Sequence, residues 1–127
     1  RDLFGERVPV VRVMPNLPEI QRQRFARLLA AARGEGEFPQ HTVMLDAERY
    51  CHLGQWLNGS GQFFYGSDPR YADFHRRHAM IHDLARRARA AADANDHALA
   101  LQLALDAQKL NDALLEDLLD LAAPRPA

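Results

Sequence analysis

The spacing of apolar residues along the chain predicts amphipathic helices rather than strands. Between Asn16 and Gly34, apolar side chains recur every three or four residues, which places them on one face of a helix. Asn16 followed by Glu19 has the form of a capping box, and Pro18 is tolerated in a first helical turn. Because Gly34 is a typical C-terminal stop, the pattern predicts a first helix that begins at Leu17 and extends to that glycine.

Three further segments carry a helical pattern. The stretch "HTVMLDAERYCHLGQWLN", residues 41–58, predicts a second helix, which the following glycines end. A third helix is expected to start at Ser67 or Asp68, because Pro69 then occupies the first turn. One broad face of this third helix holds Tyr71, Phe74, His75, His78, Ile81, His82 and Ala85.

The last segment, residues 94–123, ends at Pro124 and predicts a helix whose leucines step by three, four or seven. Together the four segments predict an all-α antiparallel four-helix bundle. The bundle domain is expected to occupy residues 17–123. Residues 1–16 would form an irregular N-terminal arm or linker, in which the valines between Pro9 and Pro15 suit either a short strand or an extended arm. Residues 124–127 would form a tail.

The last helix carries more leucine than one buried face requires. The additional residues are Leu101, Leu105, Leu115 and Leu119, and they widen the apolar surface of the helix. A surface of this kind indicates a second contact, for which a partner subunit is the simplest candidate. We therefore expect a homodimer.

Composition and charge limit the classes of function. The chain is 47% hydrophobic and 26% charged, with a formal net charge of −1, so no strong field draws it to nucleic acid or anionic lipid. No apolar run approaches the roughly 20 residues of a membrane span, and we expect neither nucleic acid nor membrane as a partner. A single cysteine excludes an internal disulfide and favours a cytoplasmic location. Because the chain lacks a starting Met and a signal peptide, we expect a piece of a larger or processed protein.

The only cysteine and a pair of histidines are the candidate chemistry. His78 and His82 are four residues apart, so on a helix they can offer two imidazole nitrogens to one ion. A thiolate from Cys51 on an adjacent helix would be a third, soft ligand, and this set favours Zn²⁺ over Mg²⁺ or Ca²⁺. The alternative reading is structural, because histidine pairs are common and a lone buried cysteine often acts as a small hydrophobe. Trp56 is interpreted as a core anchor.

The motif "CHLGQWL" resembles the Cys-x-Leu/Phe-Gly-x-Trp-Leu/Ile/Tyr signature of the chemoreceptor zinc-binding (CZB) domain family. His78 and His82 match the His-xxx-His pair that follows on the next helix. The resemblance extends over residues 17–121 and is specific from Cys51 to His82. It implies a cytoplasmic four-helix-bundle regulator, often dimeric, attached to a chemoreceptor, a diguanylate cyclase or another signalling module. It also implies that Cys51, His78 and His82 are zinc ligands. At Gly54, the missing side chain would let the neighbouring helix approach the metal.

The family uses one cysteine and three histidines, and its first histidine has no counterpart here. The corresponding region, "EIQRQRFARLL", contains no histidine, and Gln21 stands there on the apolar stripe. Water could complete the shell of the ion. Alternatively, another side chain could be the fourth ligand. The candidate histidines are His41, His75 and His52, in that order, because His41 begins the predicted helix of the cysteine. Gln21 is a further candidate. In a third interpretation the site has lost its metal affinity and remains as packed core.

These observations favour a zinc-binding sensory or regulatory domain that acts in bacterial signal transduction, such as chemotaxis, and is not an enzyme. Bound zinc would tie the Cys51 helix to the histidine helix, and zinc loss or thiolate oxidation would release that tie. A metal-free dimerisation or interaction module is the alternative. A zinc hydrolase is the third reading, because an open fourth position also describes catalytic zinc. However, Ala79 stands where the hydrolase motif requires Glu.

Overall fold

The computed structural model describes residues 17–122, with the side chain of Ala122 excepted, and this part of the chain is all-helical. It contains no strand, and its seven helices are α1 (Leu17–Ala32), α2 (Gln40–Val43), α3 (Ala47–Tyr50), α4 (His52–Asn58), α5 (Ser60–Tyr65), α6 (Tyr71–Asp93) and α7 (His97–Ala122). The predicted N-terminal arm or linker, with its possible strand, and the predicted tail at 124–127 lie outside the described residues.

Helix α1 ends where the sequence pattern placed its stop. Its C-terminus is closed by Gly34 at φ +88°, whose N–H donates to the carbonyl of Ala31, while the N–H of Glu35 donates to Ala30. This left-handed C-cap is one that glycine adopts at little cost. The buried face of α1 consists of Leu17, Gln21, Phe25, Leu28, Ala31 and Ala32. One polar side chain, Gln21, therefore lies on an otherwise apolar face.

The two longest helices, α6 and α7, pair along their lengths, and α1 packs against both. A tight turn joins them, in which Asn95 adopts φ 63° and the carboxylate of Asp96 accepts a hydrogen bond from the N–H of Leu99. Alanines buried on both helices keep the side chains in the core short: Ala85, Ala88 and Ala91 on α6, and Ala100, Ala104 and Ala107 on α7. Helix α6 starts at Tyr71 rather than at Ser67 or Asp68, because the N–H of Arg70 bonds to the Asp68 carboxylate and a turn forms first.

The prediction of one continuous helix over residues 41–58 is wrong. The chain there forms α2, α3 and α4, because the backbone is extended at Met44 and at Cys51, each with ψ 159°, and Asp46 adopts φ 64°. A continuous helix cannot contain residues in these conformations. The described chain therefore consists of three long helices. Four short helices lie between Gln40 and Tyr65, where the pattern predicted a single helix over residues 41–58.

Side chains of α6 fasten the short helices at two points. Arg86 donates to the carbonyl of Met44 and to the Glu48 carboxylate, both at 3.2 Å. About four turns away, at the first residue of α6, the Tyr71 hydroxyl donates to the carbonyl of Leu57 at 2.6 Å. Cys51 lies in the chain between these two attachments. The segment that carries the thiol is thus held against the helix that carries the histidines.

Gly61 marks the tightest contact between α5 and its surroundings. A Cβ at this position would lie 2.5 Å from the Tyr71 hydroxyl and 2.6 Å from Cζ3 of Trp56. We expect Gly61→Ala to lower the free energy of unfolding by about 1–3 kcal/mol, because overpacking forces buried rings to shift. Urea denaturation would measure the loss. Ser60→Ala, at an exposed position in the same helix, is the control and should change little, so equal stability of the two variants would contradict this packing.

Candidate metal centre

The break in the chain at Cys51 is what aims its sulfur into the core. Cys51 is extended and caps α4, so its Sγ accepts a hydrogen bond of 3.2 Å from the N–H of Gly54. The residue is only 2% exposed. In a continuous helix the N–H of Gly54 would bond to a backbone carbonyl instead. The extended residue therefore both frees a donor for the sulfur and turns the sulfur toward α6.

Gly54 is required by close backbone packing beside the sulfur. A Cβ there would lie 1.8 Å from the carbonyl oxygen of Glu48 and 3.2 Å from Cε1 of His78. The sequence predicted that this glycine lets the neighbouring helix approach. The His78 ring is indeed close, but the tighter constraint comes from α3, the short helix immediately before Cys51.

His78 and His82 lie on the buried face of α6, one turn apart. Their Nε2 atoms are 3.1 Å from each other, and the rings meet edge to face at 82°. The Nδ1 of His82 lies 2.9 Å from the carbonyl oxygen of Thr42. Since a carbonyl only accepts hydrogen bonds, this Nδ1 carries the proton and Nε2 presents a lone pair. A backbone contact of this kind orients an imidazole as metal sites do.

The sulfur and the two nitrogens converge as ligands of one ion would. Cys51 Sγ is 3.1 Å from Nε2 of His78, and one ligand atom from each of Cys51, His78 and His82 lies within 4.8 Å of the others. A tetrahedral ion with bonds of about 2.0–2.3 Å has ligand–ligand distances of roughly 3.3–3.5 Å. These three residues are therefore positioned to hold a metal ion.

Burial keeps the two imidazoles neutral. It lowers the pKa of His78 to about 3, and the positive charges of neighbouring histidines and Arg24 contribute to the same shift. Burial also lowers the pKa of His82, against the opposing effect of its bond to Thr42. Neutral imidazole is the form that binds a metal, so both rings are ready to bind an ion at neutral pH.

Cys51, in contrast, must lose its proton before its sulfur can bind a metal. Burial raises the pKa of Cys51, while the N–H of Gly54 and the guanidinium of Arg24 partly oppose that shift. The thiol is thus protonated at neutral pH in the absence of a cation, and a metal ion that binds there would displace the proton.

A cavity of about 10 Å³ adjoins the three residues, and Gln21, Arg24 and Asn111 are among its lining residues. This volume is close to that of one water-sized sphere. Of the candidates for a fourth ligand, the structure brings Gln21 to the site. It leaves His41 and His52 exposed and places the ring of His75 beside that of Tyr71, 5.1 Å away. The fourth ligand itself stays a prediction.

Sequence reasoning missed three polar residues of this cavity, Thr42, Asn111 and Arg24. Asn111 is 4% exposed on α7, where it falls on the stripe that also contains Ala107, Leu114 and Leu118. A single amide in an apolar stripe is the signal that could have identified it. Arg24 gave no comparable signal, because arginines recur throughout α1.

Comparisons with known proteins assign no family to the chain. No protein-family model, no curated protein and no solved structure matches it. Within residues 17–122, no helix has the length and apolar character needed to cross a membrane.

We expect the metal-free protein to lose stability in mild acid. The pKa of His78 falls from 6.5 in the unfolded chain to about 3 in the folded one, so the unfolded state binds the extra proton. Stability is then complete above pH 6.5 and declines as pH falls toward 3, by about 2 kcal/mol at pH 5 for this residue alone. Urea denaturation in the presence of chelator would measure the decline. The control is His78→Gln, whose decline should be shallower, and equal stability of the wild type at pH 7 and pH 5 would contradict the neutral buried ring.

Proposed function

We propose that this chain is a zinc-binding sensory or regulatory domain of a bacterial signalling protein. The observation that carries the proposal is the convergence of Cys51 Sγ with the Nε2 atoms of His78 and His82. Residues far apart in sequence meet there in the core, and the three side chains are 2–4% exposed. One sulfur and two imidazole nitrogens at one buried point are the donors that a zinc site uses.

The chemistry of the donor set supports zinc as the ion. One thiolate and two imidazoles suit Zn²⁺ better than cations that prefer oxygen. The resemblance of "CHLGQWL" and the histidine pair to the chemoreceptor zinc-binding (CZB) domain family supports the same ion. That resemblance also underlies three further parts of the proposal: a cytoplasmic location, a bundle-like domain, and an attached output such as a chemoreceptor or diguanylate cyclase.

The position of the ligands suggests how zinc would act. Cys51 belongs to the segment of short helices, whereas both histidines belong to α6. An ion held by all three residues stabilises the conformation in which this segment is docked on α6. Loss of zinc, or oxidation of the thiolate to a sulfenic acid, would release Cys51 and shift the population toward an undocked segment. Because the thiol is buried, an oxidant would reach it only when the segment opens.

A regulatory role fits this site better than hydrolysis. The described residues that line the cavity include no carboxylate, and Ala79 follows His78 where zinc hydrolases of the HExxH type have their catalytic Glu. A hydrolytic zinc site needs a general base beside the metal-bound water. We therefore propose that the domain is not an enzyme.

Metal content and melting temperature test the proposal. The wild type should bind about one zinc ion per chain, and zinc at 100 times its dissociation constant should raise the melting temperature by roughly 10 °C. Cys51→Ala should bind zinc far more weakly and show little of this shift. His75→Ala is the matched control, because His75 lies on the same helix outside the cluster, and it should behave as the wild type. A wild-type protein without zinc, whose melting ignores added zinc, would overturn the proposal.

A metal-free interaction module is the second candidate, and the surface of α7 favours it. Leu105 is 42% exposed and Leu119 is 36% exposed, while Leu101 and Leu115 on the same side of the helix are half-buried. This row agrees with the expectation of a partner subunit, and a homodimer is part of our proposal.

The size of the assembly in solution separates the two candidates. If α7 forms the interface, Leu105→Glu should convert dimers to monomers, because the charge would be buried against apolar surface. Ala113→Glu adds the same charge at another exposed position of α7 and should leave the dimer intact. Light scattering with and without chelator completes the test: assembly that ignores chelator supports the interaction module, and assembly that follows zinc supports regulation through the metal.

A further inference from the structure

The cavity beside the ligands borders a larger cleft between α1 and α7. The cleft has a volume of about 300 Å³, and the described residues that line it all belong to these two helices. Gln21, Phe25 and Asn111 line both the cleft and the cavity. These three side chains therefore stand between the surface of the domain and the convergence point of Cys51, His78 and His82.

Two of these three side chains, Gln21 and Asn111, are amides. Gln21 is 5% exposed and Asn111 is 4% exposed. Neither side chain makes a hydrogen bond to any residue in the described part of the chain. The amide atoms of both residues are not cut off from solvent, so water or a small ligand can bind them. The two amides lie on different helices and line the same cavity, where they can bind one ligand together.

The charges around the cavity indicate the chemical class of the occupant. Arg24 lines the cavity, and its positive charge acts on Cys51, His78 and His82. No carboxylate is among the described residues that line it. The amide groups of Gln21 and Asn111 supply N–H donors. A metal ion at the convergence point would add positive charge, so the cavity favours an anion over a cation.

The small volume limits the size of that anion. A space of about 10 Å³ accommodates little more than one atom beyond the ligands, so a larger group would have to extend into the cleft. Three protein ligands leave one position of a tetrahedral ion available.

We propose that the site takes a small exogenous anion, which enters through the cleft between α1 and α7 and is held by the ion and the amides of Gln21 and Asn111. Water occupies the same position when the anion is absent. The inference rests on the proposed function, because the anion needs the bound ion as its principal partner. It adds a signal: the domain responds to a small anionic ligand at the metal as well as to the metal itself.

Azide binding to the Co²⁺-loaded protein tests this inference. Co²⁺ substitutes for Zn²⁺ and its visible spectrum reports changes in its ligands, and azide is the probe anion. In the wild type, azide should change the spectrum in a saturable way, and sodium perchlorate at equal ionic strength should not. Metal content after removal of unbound azide should be unchanged, since azide replaces the bound water and displaces no protein ligand.

Amide variants identify the residues that hold the anion. Asn111→Leu and Gln21→Leu keep all three metal ligands and should weaken azide binding by roughly 10- to 100-fold, the effect of losing one hydrogen bond to a charged group. Gln108→Leu is the matched control, because Gln108 lines the cleft but not the cavity, and its azide affinity should stay close to that of the wild type. Asn111→Asp preserves size and polarity in case the leucine variants fold poorly, and its charge should repel azide.

The outcomes separate this inference from the proposed function. Co²⁺ that binds through the three ligands but whose spectrum ignores azide would overturn the inference and leave the proposed function standing. Azide affinity unchanged in both Asn111→Asp and Gln21→Leu would also overturn it, since the amides would then not hold the anion. If neither Co²⁺ nor Zn²⁺ binds, the proposed function fails and the inference fails with it.

Discussion

The contact between the thiol of Cys51 and the ring of His78 is the interaction on which the local structure depends. To bring a sulfur within 3.1 Å of a ring on α6, the chain must leave helical geometry at Cys51. It also leaves that geometry at Met44 and Asp46, where the segment turns. The bond from the N–H of Gly54 to the sulfur is a direct consequence of this extended residue. The break between α3 and α4 is thus the point at which a helical sequence turns one side chain into the core.

The side chains around this contact include a positive charge but no negative one. Two neutral imidazoles and a protonated thiol lie together, with the guanidinium of Arg24 nearby. The described residues that line the cavity include no carboxylate that could pair with this guanidinium. A divalent cation that displaces the thiol proton adds further positive charge, because the thiolate offsets only one of its two charges. An additional anion is favoured for the same reason, since one thiolate does not neutralise a divalent ion and a guanidinium.

The helices with strong periodicity could be predicted from the sequence, and the segment that builds the site could not. Helices α1, α6 and α7 follow their apolar stripes, because each buries one continuous face. Residues 41–58 carry a similar pattern, yet their backbone is set by tertiary contacts: the bonds of Arg86 to Met44 and Glu48 and the tight packing at Gly54. The two histidines could be paired by spacing alone, since both lie on one helix. The motif predicted that Cys51 approaches the histidines. Nothing in the sequence indicated that Asn111 lies at the same cavity, because its position there depends on how α1 and α7 pack.

The division of the site between short and long helices decides what a bound ion can control. Helices α6 and α7 pair over many turns, so most of their stability is independent of the three ligands. The short helices have fewer contacts with α6 than α7 has, and outside the site two hydrogen bonds from Arg86 and one from Tyr71 join them to α6. Regions with few buried contacts open at lower free energy than the whole domain. An ion that joins Cys51 to α6 therefore suppresses local opening of this segment more than it alters the paired long helices. Under the proposed function, the surface that the segment covers on α6 would be exposed or hidden according to the state of the metal site, while the rest of the domain stays folded.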